Sequence, residues 1–218
     1  MKRILEPELM EDEGQVLAYA KADFEKPHSD FIKRLQTVVS NPSFKGHALD
    51  LGCGPGDITR RFARAFPLSK VDAIDGSKPM ITFANNSINS QLRQRINFVH
   101  GKLPNVVLLK SSFGIIFSNS LLHHLPDPQI LWQTIKQFAI PGTSVIVMDL
   151  FRPATIEMAK YLVTTYAINE PEILQRDFYN SLLAAFTVDE IKEQLIHADL
   201  PLSVERTSDR HVFISGKL

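Results

Sequence analysis

The chain has 218 residues, of which 44% are hydrophobic and 22% are charged, a composition typical of a globular protein with one sizeable core. Its 24 Lys and Arg residues balance its 24 Asp and Glu residues, and this balance argues against a protein that coats nucleic acid electrostatically. No apolar run is long enough to span a bilayer, and the single cysteine, Cys53, cannot form an internal disulfide, which fits a reducing compartment.

The amino-terminal region is predicted to form helices that precede the first strand. Residues 1–7 turn acidic before an apolar segment can develop, so we expect no secretory signal and a cytoplasmic location. Residues 8–40 carry apolar side chains at helical spacing, with a break predicted near Pro27-His28-Ser29. Asn41-Pro42 ends this region, so residues 1–42 are interpreted as a helical cap.

A strand, a glycine turn and the start of a helix follow the cap. His47 to Leu51 is a short apolar run typical of a buried parallel strand, and it leads directly into Gly52-Cys53-Gly54-Pro55-Gly56. Residues 58–66 then show helical spacing. Glycines in such a turn let a ligand approach the backbone, and the helix that follows offers free N–H groups at its positive end.

This turn departs from two common phosphate-binding patterns. The dinucleotide fingerprint G-x-G-x-x-G has its third glycine one residue later, where this chain has Asp57. A P-loop is excluded because no Gly-Lys-Ser/Thr follows. Asp50, just before the turn, disfavours a pyrophosphate and suits a cationic group of the ligand. Cys53 is interpreted as a small packing residue, with a catalytic thiol as the alternative.

The second predicted strand, Val71 to Asp75, ends in an acid. Asp75 follows Gly56 by 19 residues, and a carboxylate at this strand end can accept hydrogen bonds from both hydroxyls of a ribose. Leu49-Asp50-Leu51-Gly52-Cys53-Gly54-Pro55-Gly56, followed by Ile74-Asp75, resembles the cofactor-binding half of the class I S-adenosylmethionine-dependent methyltransferases.

The resemblance implies an α/β fold, with a Rossmann-like, mostly parallel sheet of seven strands in the order 3-2-1-4-5-7-6, helices on both faces and a helical cap. The single domain then consists of residues 1–42, a cofactor-binding half over 43–153, a helical insertion over 154–186, and a last helix and hairpin over 187–218. The implied cofactor is S-adenosylmethionine, with S-adenosylhomocysteine as product, and no metal ion is expected. The expected cofactor contacts are Asp50, Gly52, Cys53, Gly54, Gly56, Asp75, Gly76, Met80, Gly101, Lys102, Leu103, Asn119 and Tyr19.

The edge that would bind adenine differs from the family pattern. A helix is predicted from Ser77 to about Leu92, and a third strand from Arg95 to His100. Many relatives follow this strand with Gly-Asp, where the Asp accepts from the adenine amine, but this chain has Gly101-Lys102. Another departure is Phe113-Gly114, where relatives often have Phe-Asp. We therefore expect backbone groups from Gly101 to Leu103 to recognise the adenine.

The loop after the fourth strand is predicted to face the ligand. Ile115 to Ser120 forms the strand and its end, and ligands of open parallel sheets bind beyond the carboxyl ends of the strands. The loop carries His123 and His124, either of which could act as a general base, with a structural role as the alternative. Base-modifying nucleic-acid methyltransferases usually have an Asn/Asp-Pro-Pro-aromatic tetrad here, and its absence favours a small-molecule acceptor.

The fifth strand is predicted over Thr143 to Leu150, after a helix over Pro128 to Ala139. Asp149 and Arg152 lie at its carboxyl end. An ion pair between these two side chains is one interpretation, and a substrate carboxylate or phosphate bound by Arg152 is the other.

The insertion is predicted to contain two helices, residues 154–168 and 171–186, which would cover the acceptor side of the site. Its aromatic residues Tyr161, Tyr166 and Tyr179 are candidate substrate contacts together with Arg152. The alternative is that these aromatic side chains are buried in a homodimer interface.

The carboxyl-terminal region is predicted to form a helix and a hairpin. Thr187 and Glu190 have the spacing of a capping box at the start of the helix, and residues 202–206 and 211–215 form the two strands. The whole pattern predicts methyl transfer from S-adenosylmethionine to a small molecule. The alternatives are a non-catalytic cofactor-binding module or subunit, and a methyltransferase that acts on nucleic acid or protein.

Overall fold

The fold is organised by a seven-stranded sheet, seen in a computed structural model that describes residues 1–6 and 9–218. The strands are β1 His47–Leu51, β2 Lys70–Asp75, β3 Ile96–His100, β4 Phe113–Asn119, β5 Ala139–Leu150, β6 Ser203–Arg206 and β7 His211–Lys217. Their order is β3-β2-β1-β4-β5-β7-β6; β1 to β5 are parallel, and β7 is antiparallel to both of its neighbours. The predicted fold class and strand order are confirmed.

The helices occupy the positions that crossover connections require. They are α1 Glu13–Lys21, α2 Glu25–Val39, α3 Asp57–Ala65, α4 Lys78–Ser87, α5 Ser90–Arg93, α6 Gln129–Phe138, α7 Ile156–Tyr166, α8 Glu172–Ala184 and α9 Val188–His197, and a single 3₁₀ turn spans Leu122–His124. Among the described residues, no helix combines the length and apolar character needed to cross a membrane.

Two apolar layers cover the two faces of the sheet. Because successive side chains of a strand point to opposite faces, Ile116 of β4 packs in one layer and Phe117 in the other. The layer around Ile116 includes Trp132 of α6, and the layer around Phe117 includes Phe62 of α3, whose ring centroid lies 4.7 Å from that of Phe117. The sheet is therefore buried on both faces, and its carboxyl-terminal edge remains for a ligand.

The amino-terminal helices differ from the prediction in where they break. The interruption falls at residues 22–24, and Pro27 lies in the first turn of α2, not in a break. A proline is tolerated there because the N–H groups of a first helical turn have no intrahelical acceptor. Asp12 caps α1 by accepting a hydrogen bond from the Gln15 amide at 2.8 Å. Residue 8, the predicted start of the helical region, lies outside the described residues.

Two further boundaries are corrected, and one local motif is confirmed. The helix predicted to reach Leu92 ends at Ser87, because Asn89 caps the separate short helix α5. Strand β5 starts at Ala139, before the predicted Thr143, because Ala139 pairs with Phe113 across an irregularity in the ladder. The capping box of Thr187 and Glu190 is present at the start of α9.

Candidate active site

A cavity of about 860 Å³ opens at the carboxyl ends of β1, β2, β4 and β5. This is the edge at which open parallel α/β sheets bind their ligands. The glycine turn after β1 forms its floor, and residues from the amino-terminal helices and from α7 and α8 contribute further walls. The volume falls in the range of small-molecule and cofactor sites.

The glycine turn presents its backbone to this cavity at Gly54. Gly54 has a φ of +51°, and apart from its chain neighbours no described residue would lie within 4 Å of a Cβ atom added there. By contrast, a Cβ atom added at Gly52 would lie 2.9 Å from the Cβ of Leu121. The space above Gly54 is therefore available to a ligand that approaches the main chain closely.

Gly56 has a different role from the expected cofactor contact. It lies outside the cavity wall, where it precedes α3 with a φ of +80°. An added Cβ would lie 2.7 Å from the ring of Phe98 and 3.3 Å from the Cβ of Ala84. The third glycine therefore allows α3 to pack closely against β3 and α4, and the structure does not bring it to the cavity with the other predicted contacts.

Asp75 joins the end of β2 to the glycine turn. Its two carboxylate oxygens accept hydrogen bonds from the backbone amides of Gly54 and Ser77, each at 2.8 Å. A carboxylate has about four acceptor sites, so two remain for the hydroxyls of a ligand. Burial raises the pKa of Asp75, and the two amide donors oppose this shift by stabilising the charged form.

We expect Asp75→Ala to weaken binding of S-adenosylhomocysteine by about 10- to 150-fold, which corresponds to the roughly 1.5–3 kcal/mol of hydrogen bonds to a charged group. Calorimetric titration measures this change. Asp75→Asn is the matched control because it keeps the volume and one acceptor oxygen, and it should lose less affinity. Unchanged affinity in a folded Asp75→Ala protein would contradict the assignment.

Asp50 lies buried beneath the turn and borders the cavity. Its carboxylate accepts a hydrogen bond from the Thr59 hydroxyl at 2.6 Å. Burial raises the pKa of Asp50 to about 7, and the neighbouring charge of Asp75 acts in the same direction. Burial also raises the pKa of the Cys53 thiol, which keeps it protonated and fits a packing role in the turn.

The structure brings six further predicted cofactor contacts to the cavity, including those of the edge expected to bind adenine. Gly76, Met80, Gly101, Lys102, Leu103 and Asn119 all border the cavity. The Gly101 amide, however, donates a hydrogen bond to the Asp75 carbonyl at 3.0 Å. Backbone recognition of an adenine in this stretch therefore falls to the amides after Gly101.

Tyr19 of α1 also borders the cavity, and its ring packs against Phe24 with centroids 4.9 Å apart. Burial raises the pKa of Tyr19 to about 12, with further contributions from the charges of Asp75, Asp149 and Asp57. Its hydroxyl is therefore a neutral hydrogen-bonding group at the wall. Phe24 lines the cavity too and stacks on His28.

The insertion covers the cavity with a different set of side chains from those predicted. Tyr166 borders the space together with Phe178 and Ser181 of α8. Tyr161 is 60% exposed on the outer side of α7, and Tyr179 packs against a small apolar cluster between α7 and α8. Of the three predicted tyrosines, the structure brings Tyr166 alone to the cavity wall.

Arg152 does not line the cavity, and its ion-pair partner is not the predicted Asp149 but Glu190. Its guanidinium donates hydrogen bonds to Glu190 at 2.5 Å and to the Ala185 carbonyl at 2.9 Å. The chain pairs with Phe186 just after β5, so the side chain turns towards α9. It is therefore neither the partner of Asp149 nor a cavity group that could bind an anionic acceptor.

Asp149 pairs with His123. The carboxylate accepts a hydrogen bond from Nδ1 of His123, and both side chains are almost fully buried. Burial alone would raise the pKa of Asp149, but the charge and hydrogen bond of His123 lower it overall. Burial likewise opposes the charged form of His123, yet Asp149 raises the pKa of that imidazole. This pairing fixes the orientation of His123 at the cavity wall.

Glu6, which the sequence analysis did not single out, faces both histidines. Its Oε1 atom lies 3.5 Å from Nε2 of His123 and 3.2 Å from Nδ1 of His124. Burial raises the pKa of Glu6. The segment that carries Glu6 is held by Arg3, whose guanidinium donates to the carbonyls of His123 and Leu125, each at 2.9 Å.

The sheet is mostly parallel and has this strand order, its glycine turn opens to a cavity, and a carboxylate lies at the end of β2. These features define a Rossmann-like domain that binds a nucleoside-containing cofactor. Residues 48–142 match the family model of a methyltransferase domain. This match supports the resemblance to the class I S-adenosylmethionine-dependent methyltransferases.

Two curated relatives indicate the level of similarity. The malonyl-[acyl-carrier protein] O-methyltransferase of Halalkalibacterium halodurans is 28% identical over 110 residues, or 49% of this chain and 40% of the relative. The trans-aconitate 2-methyltransferase of Deinococcus radiodurans is 28% identical over 149 residues, or 68% of this chain and 54% of the relative. The chain therefore spans about half the length of these relatives.

Solved structures share the fold over nearly the whole chain. An S-adenosylmethionine-dependent methyltransferase from Aquifex aeolicus has a TM-score of 0.67 at 16% identity, covering 95% of this chain and 99% of its own. The plantazolicin methyltransferase BpumL, in complex with S-adenosylhomocysteine, has a TM-score of 0.66 at 14% identity, with 94% and 95% coverage.

Proposed function

We propose that this chain transfers the methyl group of S-adenosylmethionine to a small-molecule acceptor. The observation that carries the proposal is the open space above Gly54, which belongs to the same cavity as the carboxylate of Asp75 with its two remaining acceptor sites. The backbone that a ligand can approach closely therefore lies beside the carboxylate that can accept hydrogen bonds from the ribose hydroxyls. The match to the methyltransferase family model supports this cofactor for the site.

The polar groups of the floor suit the two ends of this cofactor. Asp75 would bind the ribose hydroxyls, and Asp50 would face the positively charged amino-acid end. Asn119 lines the same space, and its buried Oδ1 atom accepts no hydrogen bond from any residue that the structure describes. An ammonium group of the ligand would supply the missing donor.

Positioning is the main contribution that we expect from the protein. The bound sulfonium supplies an already activated methyl group, so the residues of the chain need to hold the donor and the acceptor in line. Such alignment can contribute roughly 7–11 kcal/mol to a displacement. His123 and His124 stand on the acceptor side as candidate catalytic residues, and Asp149 orients the first of them.

A small acceptor is supported by the cavity and by the chemistry of its walls. Tyr166, Leu174 and Phe178 give its outer part an apolar and aromatic lining. The overall charge of zero disfavours a nucleic-acid substrate. The two curated relatives described above are named for malonyl-acyl carrier protein and for trans-aconitate, and neither acceptor is assigned to this chain.

Labelled S-adenosylmethionine tests the proposal when it is incubated with the purified protein and fractionated cell extract. We expect the label to appear in the low-mass fraction and to survive nuclease and protease treatment of the extract. Label in nucleic acid or protein would favour a macromolecular acceptor instead. Binding of S-adenosylhomocysteine without any transfer would indicate a non-catalytic cofactor-binding module.

Size-exclusion chromatography in the same preparation tests the homodimer alternative, for which the exposed Tyr161 is the candidate contact.

A further inference from the structure

We propose that Glu6, His123 and His124 bind one divalent transition-metal ion at the border of the cavity. One ligand atom from each of the three side chains lies within 4.8 Å of the other two. Two imidazoles and one carboxylate form a donor set that suits Zn²⁺, Fe²⁺ and related ions. The sequence predicts no metal ion because Glu6 is remote from the histidine pair along the chain.

Two of the three separations between the donor atoms agree with a shared ion. Ligands of a tetrahedral zinc ion, each about 2.0–2.1 Å from the metal, lie about 3.4 Å from one another. The Oε1 atom of Glu6 is 3.5 Å from Nε2 of His123 and 3.2 Å from Nδ1 of His124. The first of these separations is longer than a normal N–H···O hydrogen bond, so a direct hydrogen bond is a poor account of it.

A second layer of hydrogen bonds holds two of the three donors. Asp149 accepts from Nδ1 of His123, so Nε2 is the atom that would lose its proton and offer a lone pair to an ion beside Glu6. A carboxylate behind a ligating histidine is the usual arrangement in protein metal sites. The Ser181 hydroxyl donates to the two oxygens of Glu6 at 3.1 and 3.3 Å.

An ion at this place would border the acceptor side of the cavity. His123, His124 and Ser181 all line that space, so coordination positions not taken by the protein are open to a bound oxygen atom. If the proposed function holds, the ion would bind and polarise an oxygen of the acceptor, such as a hydroxyl or a carboxylate. It would also tether the amino-terminal segment to the loop after β4, because Glu6 belongs to that segment.

Titration with Zn²⁺ alone tests the site, after chelator treatment of the purified protein and with a chromophoric indicator as competitor. We expect one equivalent to bind with micromolar or tighter affinity. His124→Ala and Glu6→Gln should each weaken binding at least about tenfold, because each removes one ligand or its charge. His197→Ala is the matched control, since His197 is exposed at the end of α9 and should leave the affinity unchanged.

No stoichiometric binding by the wild-type protein would overturn the proposal, and so would wild-type affinity in both ligand variants. Circular dichroism of each variant ensures that a lost site is not an unfolded protein. His123→Ala is avoided because it would leave Asp149 buried without its partner. Calorimetry with S-adenosylhomocysteine on the same samples separates the two proposals, since a protein that binds this compound but not Zn²⁺ keeps the proposed function and loses the metal site.

Discussion

Gly54→Leu is expected to raise the dissociation constant for S-adenosylhomocysteine at least about 100-fold, a loss of roughly 2.7 kcal/mol. The reason is steric: the first carbon of any side chain at this position enters the space of the cavity, where no described residue other than the chain neighbours lies within 4 Å. A leucine would fill the volume that a ligand on the backbone needs. Calorimetric titration of the folded variant measures the effect.

Gly142 provides an unusually close control for this experiment. It also has a positive φ, +87°, and a Cβ added there likewise meets nothing within 4 Å. Both substitutions therefore force a leucine into the left-handed region, at a cost of about 1–2 kcal/mol in stability, without a clash inside the protein. Gly142 lies near the start of β5, away from the cavity, so Gly142→Leu should lose stability but keep its affinity. Equal affinities in the two variants would show that the ligand does not lie on the turn.

The strands and the turn could be predicted because their signals are local. Runs such as His47 to Leu51 alternate between the two apolar layers, and a glycine turn after a strand has few alternative structures. The position of Asp75 followed for the same reason, since the end of a strand fixes where its last side chain lies. These parts of the site depend on residues that are close together in the sequence.

The contacts made by the insertion and by the amino-terminal segment could not be predicted in this way. Arg152 pairs with Glu190 and His123 pairs with Asp149, and both contacts depend on how separate elements pack. Glu6 shows no local signal, because its role comes from a segment that crosses to the histidine loop. Helical geometry does explain Tyr161 afterwards: Ala159 and Leu162 turn one face of α7 inward, which leaves Tyr161 on the opposite face.

Asp50 is expected to make the stability of the wild-type protein depend on pH. Its pKa is raised from the usual 3.8 to about 7 in the folded protein, so the folded state binds the proton more tightly than the unfolded chain. The stabilisation from the neutral carboxyl is full below the unfolded pKa of 3.8, declines as the pH rises from there to about 7, and is gone above that value. Because of this group, the free energy of unfolding should fall by about 2 kcal/mol as the pH rises from about 5.5 to about 8.5.

Asp50→Asn is expected to remove this contribution, because an amide carries no titrating proton. Urea unfolding across the pH range, with the variant subtracted from the wild type, isolates Asp50 from the other titrating groups. The difference curve should bend near pH 7. Asp72→Asn, on the neighbouring strand β2 and half-exposed, is the control and should follow the wild-type curve. Parallel curves for wild type and Asp50→Asn would contradict the raised pKa.

The same residue should make cofactor binding depend on pH in the opposite direction. If Asp50 faces the positively charged end of S-adenosylmethionine, its ionised form binds this ligand best. With a pKa of about 7, the ionised fraction rises about tenfold between pH 6 and pH 8, and affinity should rise by about the same factor. Calorimetry at the two pH values measures the increase, and Asp50→Asn should bind weakly at both. A wild-type affinity that stays flat would place the cationic end of the ligand elsewhere. The tenfold rise together with the loss of stability would mean that the fold tolerates a buried acid at this turn because its charged form binds the ligand.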